Sequence, residues 1–340
     1  TDVVQKEMYT FLDRGQRSIT LRPEGTAPVV RAYLEHKLYG LAQPIKVFYI
    51  GPMFRYERPQ AGRYRQFHQI GAEAIGTPDP AADAEMIAMA QALYEEMGLR
   101  DIKILLNSIG CPRCRPVYRD RLKSHLQPRL ADLCPTCQDR FQRNPLRILD
   151  CKVEGCRSVT QDVPDILDSL CPECSQHFSL VRDYLTGLGL EFRLEKRLVR
   201  GFDYYTKTVF ELISAHLGAQ DAVGGGGRYD GLVAEMGGPD TPAVGFAAGM
   251  ERLLLSLQAQ LGQQLKAPGP KVFVAHIGPE DRFRAVELAH RLRRAAVSAE
   301  LDYQGRSLKG QLKAADRLGA RFTVMVGGEE MQRGVVRVRD

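Results

Sequence analysis

At 340 residues the chain exceeds one compact core of ordinary size, so about two or three domains are expected. An apolar share of 44% is that of a globular protein, and Lys+Arg 47 against Asp+Glu 41 leaves a net charge of +6, compatible with a polyanionic partner such as RNA without demonstrating one. No apolar run reaches membrane-spanning length and no charged, apolar, small-residue leader opens the sequence, so a soluble, cytoplasmic protein with no membrane partner is expected.

The first residue, Thr1, falls in mid-pattern, and a longer N-terminus is expected ahead of it. Residues 18–26, Ser-Ile-Thr-Leu-Arg-Pro-Glu-Gly-Thr, read as a short strand closed by a Pro and a Gly. Glu24 and Thr26 flank that Gly at a turn, facing either a cleft or solvent. Over residues 27–39 Val30, Tyr33, Leu34 and Leu38 have helical spacing.

Residues 46–57 and 64–75 are strand-like runs around a basic loop bearing Pro and Gly, which predicts a long antiparallel hairpin. Period-two alternation puts Arg55 and Glu57 on one face of its first strand and Phe67, Gln69 and Glu73 on one face of its second. Such a face can stack a base, grip a phosphate and hold an amine; on a merely solvated face Phe67 would be spent on water.

A helix is predicted over 83–97, ending at Gly98, and a strand over 102–108. All eight cysteines follow, between Cys111 and Cys174, in a segment of mostly helical pattern with residues 150–156 as a loop. Cys111-Pro-Arg-Cys114 and Cys134-Pro-Thr-Cys137 have the spacing of a tetrahedral thiolate zinc site, and Cys151, Cys156, Cys171 and Cys174 offer a second; buried free thiols are the alternative.

Residues 198–212 set Arg200 beside Gly201, Asp203, Tyr204 and Tyr205, ahead of a strand over 208–213. A planar donor fork between two aromatic walls suits a small anion, and a surface arginine with two core tyrosines is the plainer alternative. Four consecutive glycines, 224–227, within residues 222–231 let backbone approach a ligand, or make a flexible turn. Residues 243–255 run from a small-residue strand into an apolar helix with Arg252 in its early turns, placed to hold an anion or to lie along the helix surface. Residues 258–270 read as a linker. Strands over 271–277, 299–303 and 322–326 alternate with helices over 281–297 and 308–318, which predicts a basic α/β domain with a parallel sheet.

Phe54-Arg-Tyr-Glu-Arg-Pro-Gln60 with Gly62-Arg-Tyr-Arg-Gln-Phe-His-Gln69 resembles motif 2 of the class II aminoacyl-tRNA synthetases, and Gly245-Phe-Ala-Ala-Gly-Met-Glu-Arg252 resembles their motif 3. Residues 20–26 and 198–205 resemble segments peculiar to the histidyl-tRNA synthetases of bacterial type, and the match covers nearly the whole chain, without motif 1 and the last elements of the anticodon-binding domain. The resemblance implies an α+β catalytic domain on an antiparallel sheet in two parts (1–109 and 191–258), a helical cysteine-rich insertion (110–190) over the tRNA acceptor arm, a linker (259–270) and an α/β anticodon-binding domain (271–340).

The implied activity joins L-histidine to ATP, with Mg2+, as histidyl-adenylate and then to tRNA-His, in a homodimer. By the family's pattern Arg55 and Arg200 meet the α-phosphate, with Arg200 also near the substrate carboxylate, and Arg63 and Arg252 hold the outer phosphates. Phe67 stacks on adenine and Glu57 reads its amino edge. Glu24, Thr26 and Gln69 bind the α-amino group, Glu73 and Tyr205 bracket the imidazole, and Tyr204 and Tyr229 line the pocket. Arg58 and Gln60, in the motif 2 loop, would meet the tRNA 5′ end. The rivals are the family's regulatory paralogue, which partners ATP phosphoribosyltransferase and lacks the C-terminal domain, and a zinc-bearing RNA-binding protein without catalysis.

Overall fold

A two-stranded antiparallel ribbon, β1 (Thr10–Leu12) and β2 (Ser18–Thr20), leads into helix α1 (Thr26–Glu35). This is a computed structural model, and it describes residues 7–60, 62–215, 222–262, 268–329 and 333–340. The predicted hairpin follows as β3 (Ile45–Phe54) and β4 (Gln66–Ile75), antiparallel in unbroken register from Ile45 opposite Ile75 to Phe54 opposite Gln66. Helix α2 (Pro80–Glu96) begins three residues before the expected 83: the Asp79 carboxylate accepts the Ala81 N–H at 2.9 Å and Pro80 starts the first turn with its φ already set. Strand β5 (Ile102–Ser108) has the bounds expected of it.

The cysteine-bearing insertion contains α3 (Cys114–Leu126), α4 (Pro135–Arg143), α5 (Glu154–Val159) and α6 (Pro172–Gly187). Residues 150–156 are therefore only partly the loop expected, because α5 starts at Glu154, where the Arg157 N–H already bonds the Val153 carbonyl at 2.9 Å. After β6 (Phe192–Leu194) come β7 (Thr206–Ser214), the glycine-rich β8 (Ala222–Arg228), the short α7 (Leu232–Glu235), β9 (Ala243–Gly249) and α8 (Met250–Leu261).

The large sheet has the order β3-β4-β9-β8-β7-β5-β6, antiparallel at every pairing except β5 with β6. One core packs Met86, Ile87 and Tyr94 of α2, Phe178, Val181 and Leu185 of α6 and Leu253 of α8 with Phe210, Leu212 and Phe246 of the sheet. A second lies in the insertion, where Tyr118, Leu122, Phe141 and Ile148 pack toward Tyr205 and Val209. Arg228, with no exposed side-chain surface, ties these parts together. It is ion-paired to the equally buried Asp83 of α2 and donates to the carbonyls of Thr77 at 2.8 Å and Asp79 at 3.0 Å, while His177 of α6 meets Asp83 at 3.3 Å.

Thr1–Gln263 and Gln264–Asp340 form two compact units. Residues 258–261, expected in a linker, are instead the end of α8, whose apolar stripe continues through Leu261 to a left-handed cap at Gly262; 263–267 lie outside the described residues. The second unit contains β10 (Val272–His276), α9 (Arg282–Arg294), β11 (Ala299–Leu301), α10 (Leu308–Leu318), β12 (Phe322–Val326) and β13 (Arg337–Arg339), in the sheet order β11-β10-β12-β13. Its sheet is mixed rather than purely parallel, because β13 pairs antiparallel to β12. Among the described residues no helix is long and apolar enough to cross a membrane.

Candidate active site

The turn before α1, the β3–β4 hairpin, residues 198–207 and the β7–β8–β9 strands meet on one side of the large sheet. Glu73 of β4 is buried there, at 1% exposure. Thr26 Oγ1 donates to one Glu73 oxygen at 2.8 Å and the Tyr229 hydroxyl to the other at 2.7 Å. Gly245 of β9 stands opposite Glu73 in the ladder, and a Cβ there would fall 1.7 Å from Glu73 Oε2. Burial pushes the Glu73 carboxyl up to about 8, against the pull of the Tyr229 and Thr26 hydrogen bonds, and the Glu24 carboxylate adds to the rise.

Glu24 is also buried, and burial raises its carboxyl although the Ala27 and Thr26 amides pull the other way. Those amides, at 2.8 and 2.6 Å from its two oxygens, make Glu24 the anchor of the first turn of α1. Tyr204 packs beside Tyr205, with ring centroids 4.8 Å apart, and edge-on to Tyr229 at 5.9 Å, walling the space next to Glu73.

Two of the cations border this group, Arg200 at Tyr205 and Arg55 at the turn that holds Glu24. Arg200 Nη1 meets Glu211 Oε1 of β7 at 2.7 Å, and its guanidinium lies 5.7 Å from the centre of the Tyr205 ring. Gly225, opposite Glu211, gives that fork its room, since a Cβ would stand 2.9 Å from Arg200 Nη1. Arg55 donates Nε–H to the Pro23 carbonyl at 2.8 Å and lies 5.1 Å from the Phe67 ring centre and 5.8 Å from that of Phe202. Glu57 lies between Arg55 at 3.9 Å and Arg63 at 3.5 Å. Arg252 of α8 donates to the Gly62 carbonyl at 3.2 Å and the Ala222 carbonyl at 2.6 Å, next to the hairpin loop.

The structure thus brings Glu24, Thr26, Glu73, Tyr204, Tyr205 and Tyr229 into one group and Arg55, Glu57, Arg63 and Phe67 into another, with Arg200 beside Tyr205. Arg58 and Gln60 are exposed at the hairpin tip, where Gln60 pairs back on Arg63; Ala61 lies outside the described residues. Near Glu73 and Arg200, the buried side-chain atoms without a hydrogen-bond partner among the described residues include Tyr49 Oη, Gln69 Oε1 and Arg200 Nε.

Tyr49, Phe202 and Glu211 are additions to the residues read from the sequence. Tyr49 shares the odd-numbered alternation that singles out Arg55 and Glu57, and following that register back along β3 would have found it.

The cysteine grouping read from the sequence is corrected. Cys111 and Cys114 gather with Cys171 and Cys174, and Cys134 and Cys137 with Cys151 and Cys156, the sulfurs of each set lying within 4.8 Å of one another. The reason is that α6 returns to the start of α3, so that the Cys171 N–H bonds Cys114 Sγ at 3.1 Å, while the Cys134 N–H bonds Cys156 Sγ at 3.2 Å.

Residues 9–261 match the tRNA synthetase class II core domain (G, H, P, S and T), and residues 271–340 match the anticodon binding domain. A histidine-tRNA ligase of Desulforamulus reducens is 56% identical over 340 residues, all of this chain and 81% of that protein; one of Moorella thermoacetica is 55% identical over 339 residues and 80% of its length. The apo crystal structure of S. aureus histidyl-tRNA synthetase, 40% identical, aligns over 98% of this chain and 84% of its own with a TM-score of 0.77. A histidyl-tRNA synthetase from Nostoc sp. PCC 7120, at 21% identity and a TM-score of 0.71, shares the fold. The anticodon-domain match and these ligase relatives weigh against the regulatory-paralogue reading. The chain belongs to the histidine-tRNA ligases, within the class II aminoacyl-tRNA synthetases.

Proposed function

We propose that the cleft between Glu73 and Arg200 activates L-histidine with ATP, for transfer to the 3′ end of tRNA-His in the cytoplasm. The observation that carries the reading is Glu73, a buried carboxyl held by the Thr26 and Tyr229 hydroxyls, with the Tyr204 ring packed against those of Tyr205 and Tyr229. A ring with two nitrogens placed between Glu73 and Tyr205 gains a hydrogen bond at each end, the one at Glu73 in addition to those from Thr26 and Tyr229, whereas an amino acid without them forfeits both, which is the physical basis of selection. Glu24, Thr26 and the unpartnered Gln69 Oε1 suit the α-amino group, and the buried Tyr49 hydroxyl adds a polar atom to the same floor.

In the first step an oxygen of the histidine carboxylate bonds to the α-phosphorus of ATP, and the bond from that phosphorus to the bridging oxygen breaks, releasing pyrophosphate. Negative charge builds on the α-phosphate oxygens, and in this reading the forks of Arg55 and Arg200, each already held by a protein acceptor, offset it. Arg63 and Arg252 take the outer phosphates, Phe67 stacks on adenine and Glu57 accepts from its amino edge. Glu211, a hard oxygen donor beside Arg200, would suit Mg2+ brought in with ATP, which would draw charge from the outer phosphates.

In this reading the exposed Arg58 and Gln60 meet the tRNA 5′ end, and residues 271–340 its anticodon. A second copy of the chain is expected on β3, the edge strand of the large sheet, where Phe48 is 76% and Ile50 59% exposed. Zinc is the ion that the cysteine sets of the insertion suit.

Exchange of labelled pyrophosphate into ATP tests the reading. It should require histidine among the twenty amino acids, and exchange with any amino acid, or with none, would overturn it.

A further inference from the structure

The eight cysteines form two groups of four whose pairing crosses the sequence. Four thiolates around one zinc at about 2.3 Å put sulfurs about 3.8 Å apart, the edge of a tetrahedron. Cys111 Sγ lies 3.6 Å from Cys114 Sγ and 4.0 Å from Cys171 Sγ, and Cys134 Sγ lies 4.0 Å from Cys151 Sγ. Disulfides would need sulfurs at about 2.05 Å, in pairs rather than fours. Backbone N–H groups aimed at Cys114 Sγ and Cys156 Sγ are donors that favour thiolates. In three of the four ligand pairs the Cys-Pro-x-Cys turn opens a helix, at α3, α4 and α6.

Each group frames a donor that reaches the histidine-reading segment. Arg115, next to Cys114, donates to the Tyr205 carbonyl at 2.6 Å and the Asp203 carbonyl at 3.4 Å. Between Cys137 and Cys151, Asn144 donates to Asp203 Oδ1 at 3.1 Å and Arg147 to the Arg200 carbonyl at 2.9 Å. Residues 200–205 form no helix or strand of their own, and these donors come from an insertion whose helices are short and joined by irregular turns. A bound metal ties such segments together, because its ligands come from turns far apart in the chain.

We propose that the insertion binds two structural zinc ions, one on Cys111, Cys114, Cys171 and Cys174 and one on Cys134, Cys137, Cys151 and Cys156, and that they fix the frame from which Arg115, Asn144 and Arg147 position residues 200–205. The zinc assignment stands on the cysteine geometry; the positioning role rests on the reading of Arg200 to Tyr205 as the histidine pocket.

Elemental analysis of the full chain, purified without chelator, should find two zinc ions. Cys111→Ser/Cys171→Ser should lose one and Cys111→Ser/Cys134→Ser both. The reverse pattern, no zinc, or iron in its place would overturn the assignment. If a double variant does not fold, cobalt(II) added to metal-stripped wild-type chain should saturate its thiolate charge-transfer absorption at two equivalents, and saturation at one would overturn it.

Arg115→Ala should keep both zinc ions and raise the KM for histidine in pyrophosphate exchange roughly 5- to 10-fold, the worth of about one hydrogen bond, with the KM for ATP unchanged. An unchanged histidine KM with both ions present would overturn the positioning role. Absence of exchange in the wild-type chain would instead strike the function, leaving the zinc count to be judged alone.

Discussion

Glu73 shows how one residue can be bad for the fold and good for the site. Its carboxyl is raised from the ordinary value near 4.5 to about 8. The folded chain therefore binds more protons than the unfolded chain between those values. The contribution of Glu73 to stability is fully present below about pH 4.5 and is lost as pH rises through about 8. Glu73→Gln keeps the shape and removes the ionisation, so its advantage over the wild type in unfolding free energy, measured in urea, should grow across that window, reaching on the order of a few kcal/mol. A constant difference with pH would contradict the argument. The same change should remove histidine-dependent exchange. Gly245→Ala should do so as well, because its Cβ would occupy the space of Glu73 Oε2. In the sequence Glu73 stood out as a carboxylate on a mixed strand face, but its partners Thr26 and Tyr229 come from 47 and 156 residues away, a separation that no local pattern encodes.

Among the elements, the hairpin, β5, α10 and β12 were legible because alternation or helical spacing runs through them without interruption. The start of α2 was missed because its first turn, Pro80-Ala-Ala, carries no amphipathic signal and is set by the Asp79 cap. Strand β13, Arg337-Val-Arg, is short, exposed and charged, as an edge strand can be, and so has no apolar pattern to read. The cysteine pairing was not legible because sequence spacing identifies the pairs but not which pairs a returning helix brings together. The buried Arg228–Asp83 pair joins α2 to β8, and His177 brings in α6. Asp83→Ala leaves the buried guanidinium with Asp230, 3.2 Å from Nη1, as its remaining counter-charge and should cost about 3 kcal/mol in chemical denaturation. A loss below about 1 kcal/mol would mean that the pair only fills space.

At the scale of the whole molecule, the chain divides between chemistry and recognition. The residues of the proposed adenylation site all lie within Thr1–Gln263, whereas the unit Gln264–Asp340 matches an anticodon-binding family and carries a basic helix, α9. A chain ending at residue 262 should retain pyrophosphate exchange within about threefold while losing most of its aminoacylation of tRNA-His, as expected of a domain with its own core. Loss of both activities together would mean that the two units act as one.

The account rests most heavily on Arg200, whose fork is held by Glu211, given room by Gly225 and kept in place by the Arg147 bond to its carbonyl. The decisive measurement is steady-state pyrophosphate exchange by Arg200→Lys. A point charge in place of the fixed fork should lower kcat by at least about 100-fold, with the histidine KM within about threefold of the wild type. A higher histidine KM with kcat preserved would contradict a role for Arg200 at the α-phosphate.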